Sequence, residues 1–195
     1  MSRRAYLPVA MALLAASVTA GVSLGQAKAG GLPFITGGGQ NVNLNSGSGT
    51  ALTNYVGFDA RATAAGTPGH GAFSTTVYPA RGQMQLRTSD DSSHKTVGAA
   101  HGEVVCIANY GPSSSANDAG GVPGHDVWEI RFRITHSATP GAEGAYGSLM
   151  VQDNGSHNDF ADESFAGNLL ADPSCGDVTR FQLEPHQGQI TVHNG

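Results

Sequence analysis

Apolar residues recur at every second position through most of this chain, and the spacing of an amphipathic helix scarcely appears. The clearest stretch is Val127 to His136. Trp128, Ile130, Phe132 and Ile134 share one face, and Glu129, Arg131 and Arg133 share the other. One buried face and one wet face suit an antiparallel sheet better than a parallel one. Sliding this strand by one residue would carry its three charges into the core, so the pattern predicts a firmly set register.

Other segments repeat the alternation. Val56, Phe58, Ala60 and Ala62 alternate with Gly57, Asp59 and Arg61. Phe73, Thr75 and Val77 follow, then Met84 and Leu86 between Gln83, Gln85 and Arg87. Glu103 to Tyr110 carries Val104, Cys106 and Ala108 on one side and Val105 and Ile107 on the other, so cover is expected on both faces. Leu149 and Val151, Phe181 and Leu183, and Ile190 and Val192 mark the later strands. Gly, Pro, Asp and Ser cluster at Gly66 to Gly71, Ser89 to Ser93, Gly111 to Gly124 and Thr139 to Gly144, where turns are expected. The reading is an all-β fold, an antiparallel β-sandwich or flattened barrel of about eight strands. Two stretches break the rhythm. Pro112 to Pro123 reads as an exposed connection without an apolar anchor. Ser156 to Gly176 is long for an irregular loop, and Phe165 to Leu170 inside it suits a short helix.

The N-terminal end changes the picture. Arg3 and Arg4, the charge-free run Leu7 to Leu24 and the small residues of Ala27-Lys28-Ala29 have the layout of a secretory signal peptide. The expected organisation is a signal peptide over 1–29, a Gly/Ser/Asn-rich lead-in over 30–50 that has room for a first strand, and a β domain over 51–195. Processing after Ala29 leaves 166 of the 195 residues, enough for one domain with a real core. Removing Arg3, Arg4 and Lys28 from the 10 basic residues leaves 7 against 15 acidic ones, a formal charge of about −8. No Lys/Arg cluster offers a surface to nucleic acid or to anionic lipid. No second apolar run approaches a membrane span. Cys106 and Cys175 are the only cysteines, and an even count in an exported chain predicts a disulfide between them.

Several signatures in order resemble one family. They are Ile35-Thr36-Gly37-Gly38-Gly39-Gln40, Val56-Gly57-Phe58-Asp59-Ala60, the Gly71 to Leu86 hairpin and Ala100-His101-Gly102 leading into Val104-Val105-Cys106. Val151-Gln152-Asp153-Asn154-Gly155 and Gly188-Gln189-Ile190-Thr191-Val192-His193 complete the series. Together they are similar to the post-COAP domain, a small exported β domain of bacteria, over nearly all of the mature chain. The resemblance implies secretion and an all-β fold and brings no established catalytic residue. The Ser156 to Gly176 loop is longer than the family pattern.

Candidate chemistry is sparse. Asp153, Asp159, Asp162 and Glu163 could supply oxygens to calcium, although their spacing does not fit the twelve-residue calcium loop. A solvated turn after a strand is the plainer account of that segment. The eight histidines (His70, His94, His101, His125, His136, His157, His186 and His193) form no HExxH or HxH pattern, so zinc is not signalled. His101, near Glu103, and His136 could join a metal site only if the fold brings them together. Gly47-Ser48-Gly49 lacks the strand-to-helix setting of a nucleophile elbow. Asn154-Gly155-Ser156 matches the glycosylation sequon by pattern alone. Trp128 reads as core. No catalytic residue, cofactor or metal site is assigned. The expected function is a secreted non-catalytic β domain, envelope-associated or ligand-binding, with an unknown extracellular partner. A calcium-binding domain and a secreted hydrolase are the alternatives. Sequencing of the exported protein should begin at Gly30; a start at Met1 or Ser2 would show that the leader is retained.

Overall fold

The computed structural model describes residues 31–43, 52–69, 75–112, 118–119, 122–155, 160–163, 173–177, 181–185 and 187–194. Its elements are all strands: β1 (Phe34–Asn43), β2 (Leu52–Ala62), β3 (Thr67–Pro68), β4 (Thr76–Asp90), β5 (Thr96–Pro112), β6 (Asp118–Ala119), β7 (Asp126–Ser137), β8 (Tyr146–Gln152), β9 (Phe160–Glu163), β10 (Phe181–Gln182), β11 (Glu184–Pro185) and β12 (Gln187–His193). One sheet runs β11-β9-β8-β7-β5-β4-β2-β1-β12, antiparallel throughout, with β3 on β4. β6 and β10 form a short parallel pair of their own.

β11 and β12 lie at opposite ends of this order, yet Pro185 and Gln187 are only two positions apart in the chain. Consecutive Cα atoms sit about 3.8 Å apart, so the two ends of the sheet must approach each other. The sheet therefore curls into a half-barrel, the flattened-barrel form of the expected all-β fold. A single apolar cluster fills its concave side. Ile35, Phe58, Met84, Ile107, Trp128, Ile130, Phe132, Leu149 and Ile190 contribute to it from seven strands. Among the described residues no helix is long and apolar enough to cross a membrane.

The periodic reading of β7 holds on the inner face and fails on the outer one. Trp128, Ile130, Phe132 and Ile134 are buried as the pattern requires. On the other face Arg133 is exposed, but Glu129 and Arg131 are both 0% exposed rather than wet. The reason is a second layer. The Cys106–Cys175 disulfide, across a sequence separation of 69, ties segment 173–177 over this face. Cys106, Ala108 and Cys175 make a small outer core there, and Leu183 packs on Val127 and Met150 beside it. Beneath that cover, Glu129 accepts bonds from Arg131 Nε at 2.8 Å, Ser148 Oγ at 2.6 Å, Tyr110 Oη at 3.0 Å and the Gly176 N–H at 2.8 Å. Arg131 also reaches Asp177 Oδ1 at 2.6 Å.

Strict alternation also fails in β5. Val104 pairs with Phe132 and Cys106 with Arg131, so Val105 is an extra residue, a β-bulge. The bulge puts Val104 and Ile107 together in the inner core and leaves Cys106 and Ala108 on the outer face. The expected grouping of Val104 with Cys106 and Ala108 is thereby corrected, while cover on both faces is found. β4 is likewise one strand of 15 residues rather than two pieces, with a register shift between Pro79 and Gln83. The triple glycine of the lead-in lies inside β1, between β2 and β12. A Cβ at Gly37 would fall 2.8 Å from the Phe58 ring and 2.9 Å from the Gln189 carbonyl, so only glycine fits there. The expected helix over 165–170 and the signal segment lie outside the described residues.

Glu129→Ala would leave Arg131 buried beside Asp177 and deprive Ser148, Tyr110 and the Gly176 N–H of their acceptor. The expected cost is about 3–5 kcal/mol, read as a lowered urea midpoint. Replacing Glu129 by Leu together with Arg131 by Met should cost much less. A loss below about 1 kcal/mol for Glu129→Ala would show that the carboxylate is not sealed from water.

Candidate functional site

The two ends of the sheet meet beside the start of β7, and a hollow opens there. The end of β8 continues into Asp153, whose Oδ2 accepts the Val192 N–H of β12 at 3.0 Å. Its Oδ1 accepts the Gly155 N–H at 2.8 Å, closing a local turn. Asp153 thus clasps the seam between β8 and β12, where no ladder of backbone bonds runs among the described residues.

Gln152, also fully buried, organises the approach to β7. Its Nε2 donates to the carbonyls of Val122 and His125, and its Oε1 accepts the Val122 N–H at 2.7 Å. The connection before β7, expected to run free, is anchored at this point. His125 then turns its Nδ1 to the Asp153 carbonyl at 3.1 Å, which fits the tautomer with the proton on Nδ1 and a lone pair on Nε2. Next to it, Asp126 Oδ2 accepts from Asn109 Nδ2 at 3.0 Å, and Asn109 Oδ1 accepts the Gly111 N–H. His125, Asp126 and Asp153 line a cavity of about 440 Å³ with Trp128, Val192 and Asn194. Its size falls within the range of small-molecule sites.

Trp128 belongs to the core as expected, at 1% exposure, and stacks on Tyr78 with ring centroids 6.1 Å apart. Its indole N–H is buried without a partner among the described residues.

The other expected residues scatter. Cys106 and Cys175 form the disulfide. Of the acidic group proposed for calcium, Asp153 spends both carboxylate oxygens on backbone amides. Asp162 and Glu163 lie on β9, but Asp159 falls outside the described residues, and with it the group as a set. His70, His157, His186 and Gly47-Ser48-Gly49 are outside them too. His94 sits in the β4–β5 turn with φ of 55°. Nearby, Asp90 accepts bonds from Ser92 and Ser93, with the Ser92 hydroxyl first among the causes that hold its carboxyl below the usual range. His193 stacks on Phe34 at 3.9 Å. His101 and His136 do come together, as cross-strand partners with ring centroids 6.4 Å apart. Among the described residues no three His, Cys, Asp or Glu side chains converge as metal ligands. Among the described residues, His125 and His136 hydrogen-bond to a carbonyl and a carboxylate rather than to a hydroxyl.

Sequence reasoning passed over His125 with Asp126, Gln152, and the Glu129–Arg131 pair. The one available signal was Glu129 and Arg131 flanking Ile130 opposite Ser148, and periodicity reads those as surface. No family model, no curated protein and no solved structure matches the chain.

Asp153→Ala removes the acceptor of two amides and should lower stability by about 1–3 kcal/mol. Hydrogen exchange at the Val192 amide should accelerate well beyond that at amides in the middle of β7. Unchanged protection at Val192 would mean that the seam is held by other contacts.

Proposed function

We propose that this chain is an exported, non-catalytic β domain that binds a small ligand in the cavity at the seam, either free outside the cell or associated with the envelope. The observation that carries the reading is the cavity itself, about 440 Å³ between His125, Asp126, Trp128 and Val192. Its polar groups are held in place by bonds to the body of the fold: His125 by the Asp153 carbonyl and Asp126 by Asn109. A site whose side chains are fixed before the ligand arrives loses less entropy on binding.

Export is supported by the disulfide, because such bonds persist in oxidising compartments and are rare in reducing ones. The leader-like first 29 residues point the same way. Binding is preferred to catalysis because the charged and imidazole side chains at the cavity are tied to the fold: Asp153 accepts two backbone amides, Asp126 accepts from Asn109, and His125 turns its proton-bearing nitrogen to a backbone carbonyl.

The chain has one tryptophan, and it lines this cavity, so its emission reports occupancy directly. Titration of residues 30–195 with a panel of monosaccharides, amino acids and short peptides should yield a saturable change in emission for one chemical class. Asp126→Ala and His125→Ala should weaken that response at least tenfold. A ligand bound equally well by both variants would place the site elsewhere. Turnover of an ester, glycoside or peptide by the wild-type chain would overturn the non-catalytic reading.

A further inference from the structure

We propose that His101 and His136 form a surface site for a divalent transition-metal ion of the imidazole-preferring kind, zinc(II) or copper(II), with Glu143 orienting one of the two ligands. The register of β5 and β7 carries the argument. His101 stands directly opposite His136, and the ladder then slips so that Gly102 faces Ile134, leaving Thr135 as an extra residue. The two histidines belong to the outer, exposed surface, His136 with 75% of its side chain open to solvent. Their ring centroids are 6.4 Å apart and the planes are inclined by 34°. Two imidazoles sharing one ion at metal–nitrogen distances of about 2.0–2.1 Å place their centroids roughly 4.5–5.5 Å apart at neighbouring positions of a tetrahedral or square-planar ion. The pair stands about 1–2 Å wider than that on a paired backbone, a gap that rotation of the two exposed side chains closes as both nitrogens aim at one point.

Glu143 supplies the second part. Its Oε1 lies 3.1 Å from His136 Nδ1 and also accepts the Ser137 N–H at 3.3 Å, so the carboxylate is held from two sides. A proton on Nδ1 shared with that carboxylate leaves the Nε2 lone pair outward, the arrangement by which carboxylates fix the tautomer of metal-bound histidines and raise their basicity. Two protein ligands leave the remaining positions to water, which makes the ion exchangeable and open to a further donor. Hard cations such as calcium and magnesium take oxygen ligands and have no claim on this pair. The site lies at the far end of β7 from His125, about 35 Å along the chain at the rise of a strand, so it is independent of the seam cavity.

The test is calorimetric titration of residues 30–195 with zinc sulfate, copper(II) chloride and calcium chloride. The expected result is one zinc or copper ion per chain, each competing with the other, and no effect of calcium on either. His101→Asn and His136→Asn should each weaken binding at least tenfold. Glu143→Gln should weaken it about tenfold, with the circular dichroism spectrum unchanged in all three because the residues are exposed. In the wild type the ring proton signals of His101 and His136 should shift together on zinc addition. Binding of copper alone would support the site and assign it to copper. No binding of either ion at millimolar concentration would overturn the proposal. Affinity retained in the His101→Asn/His136→Asn double variant would overturn it equally, by placing the ion elsewhere.

Discussion

An ionised carboxylate with no access to water needs nearly every lone pair filled, and Glu129 meets that demand with groups drawn from β5, β7, β8 and segment 173–177. The requirement reaches outward from one atom pair. Arg131 must lie two residues further along the same strand face, and Ser148 must stand opposite Arg131 on β8. The Gly176 amide must come down from above, and the disulfide holds it within reach. Taking either charge out of water costs several kcal/mol, which attraction repays only if the bonding is complete. The outer layer is thus coupled to the sheet by polar geometry as much as by the contacts of Cys106, Ala108 and Leu183.

The inner face of the barrel was legible because period-two patterning is a direct consequence of the pleat. Val56, Phe58, Ala60, Met84, Leu86, Ile130, Phe132 and Ile190 are buried as alternation requires. What alternation could not show is where a strand departs from two-residue repetition or where something else lies on its far side. The bulge at Val105 reverses the sides of everything after it in β5. The cover over Glu129 and Arg131 comes from residues more than forty positions later, so no local pattern marks it. The seam cavity was hidden for the same reason. Its walls come from the entry to β7, the exit of β8 and the end of β12, which meet only because the sheet curls.

The glycines of the strands also make sense only after folding. A Cβ at Gly147 would run into the Phe132 ring, and one at Gly102 would lie 2.7 Å from its Cδ2. Two neighbouring strands thus give up side chains so that one large ring can lie between them on the inner face. Composition reads such residues as turn formers. Here they are space left for an aromatic residue, and β-propensity alone would have counted them against the strands that contain them.

The bond between chain order and sheet order has a kinetic side. β1 pairs with β2 on one side and β12 on the other, so its second edge stays open until β12 arrives. β11 completes the opposite end of the sheet from the same short stretch. Gln40 and Gln187 pair across 147 positions of chain, a long-range closure of the kind that slows folding. Until then β1 presents a flat, glycine-rich edge, the kind of strand that pairs readily with another chain. The residues of β12 thus do more than complete the barrel: they occupy the backbone groups of β1 that another strand would otherwise find free.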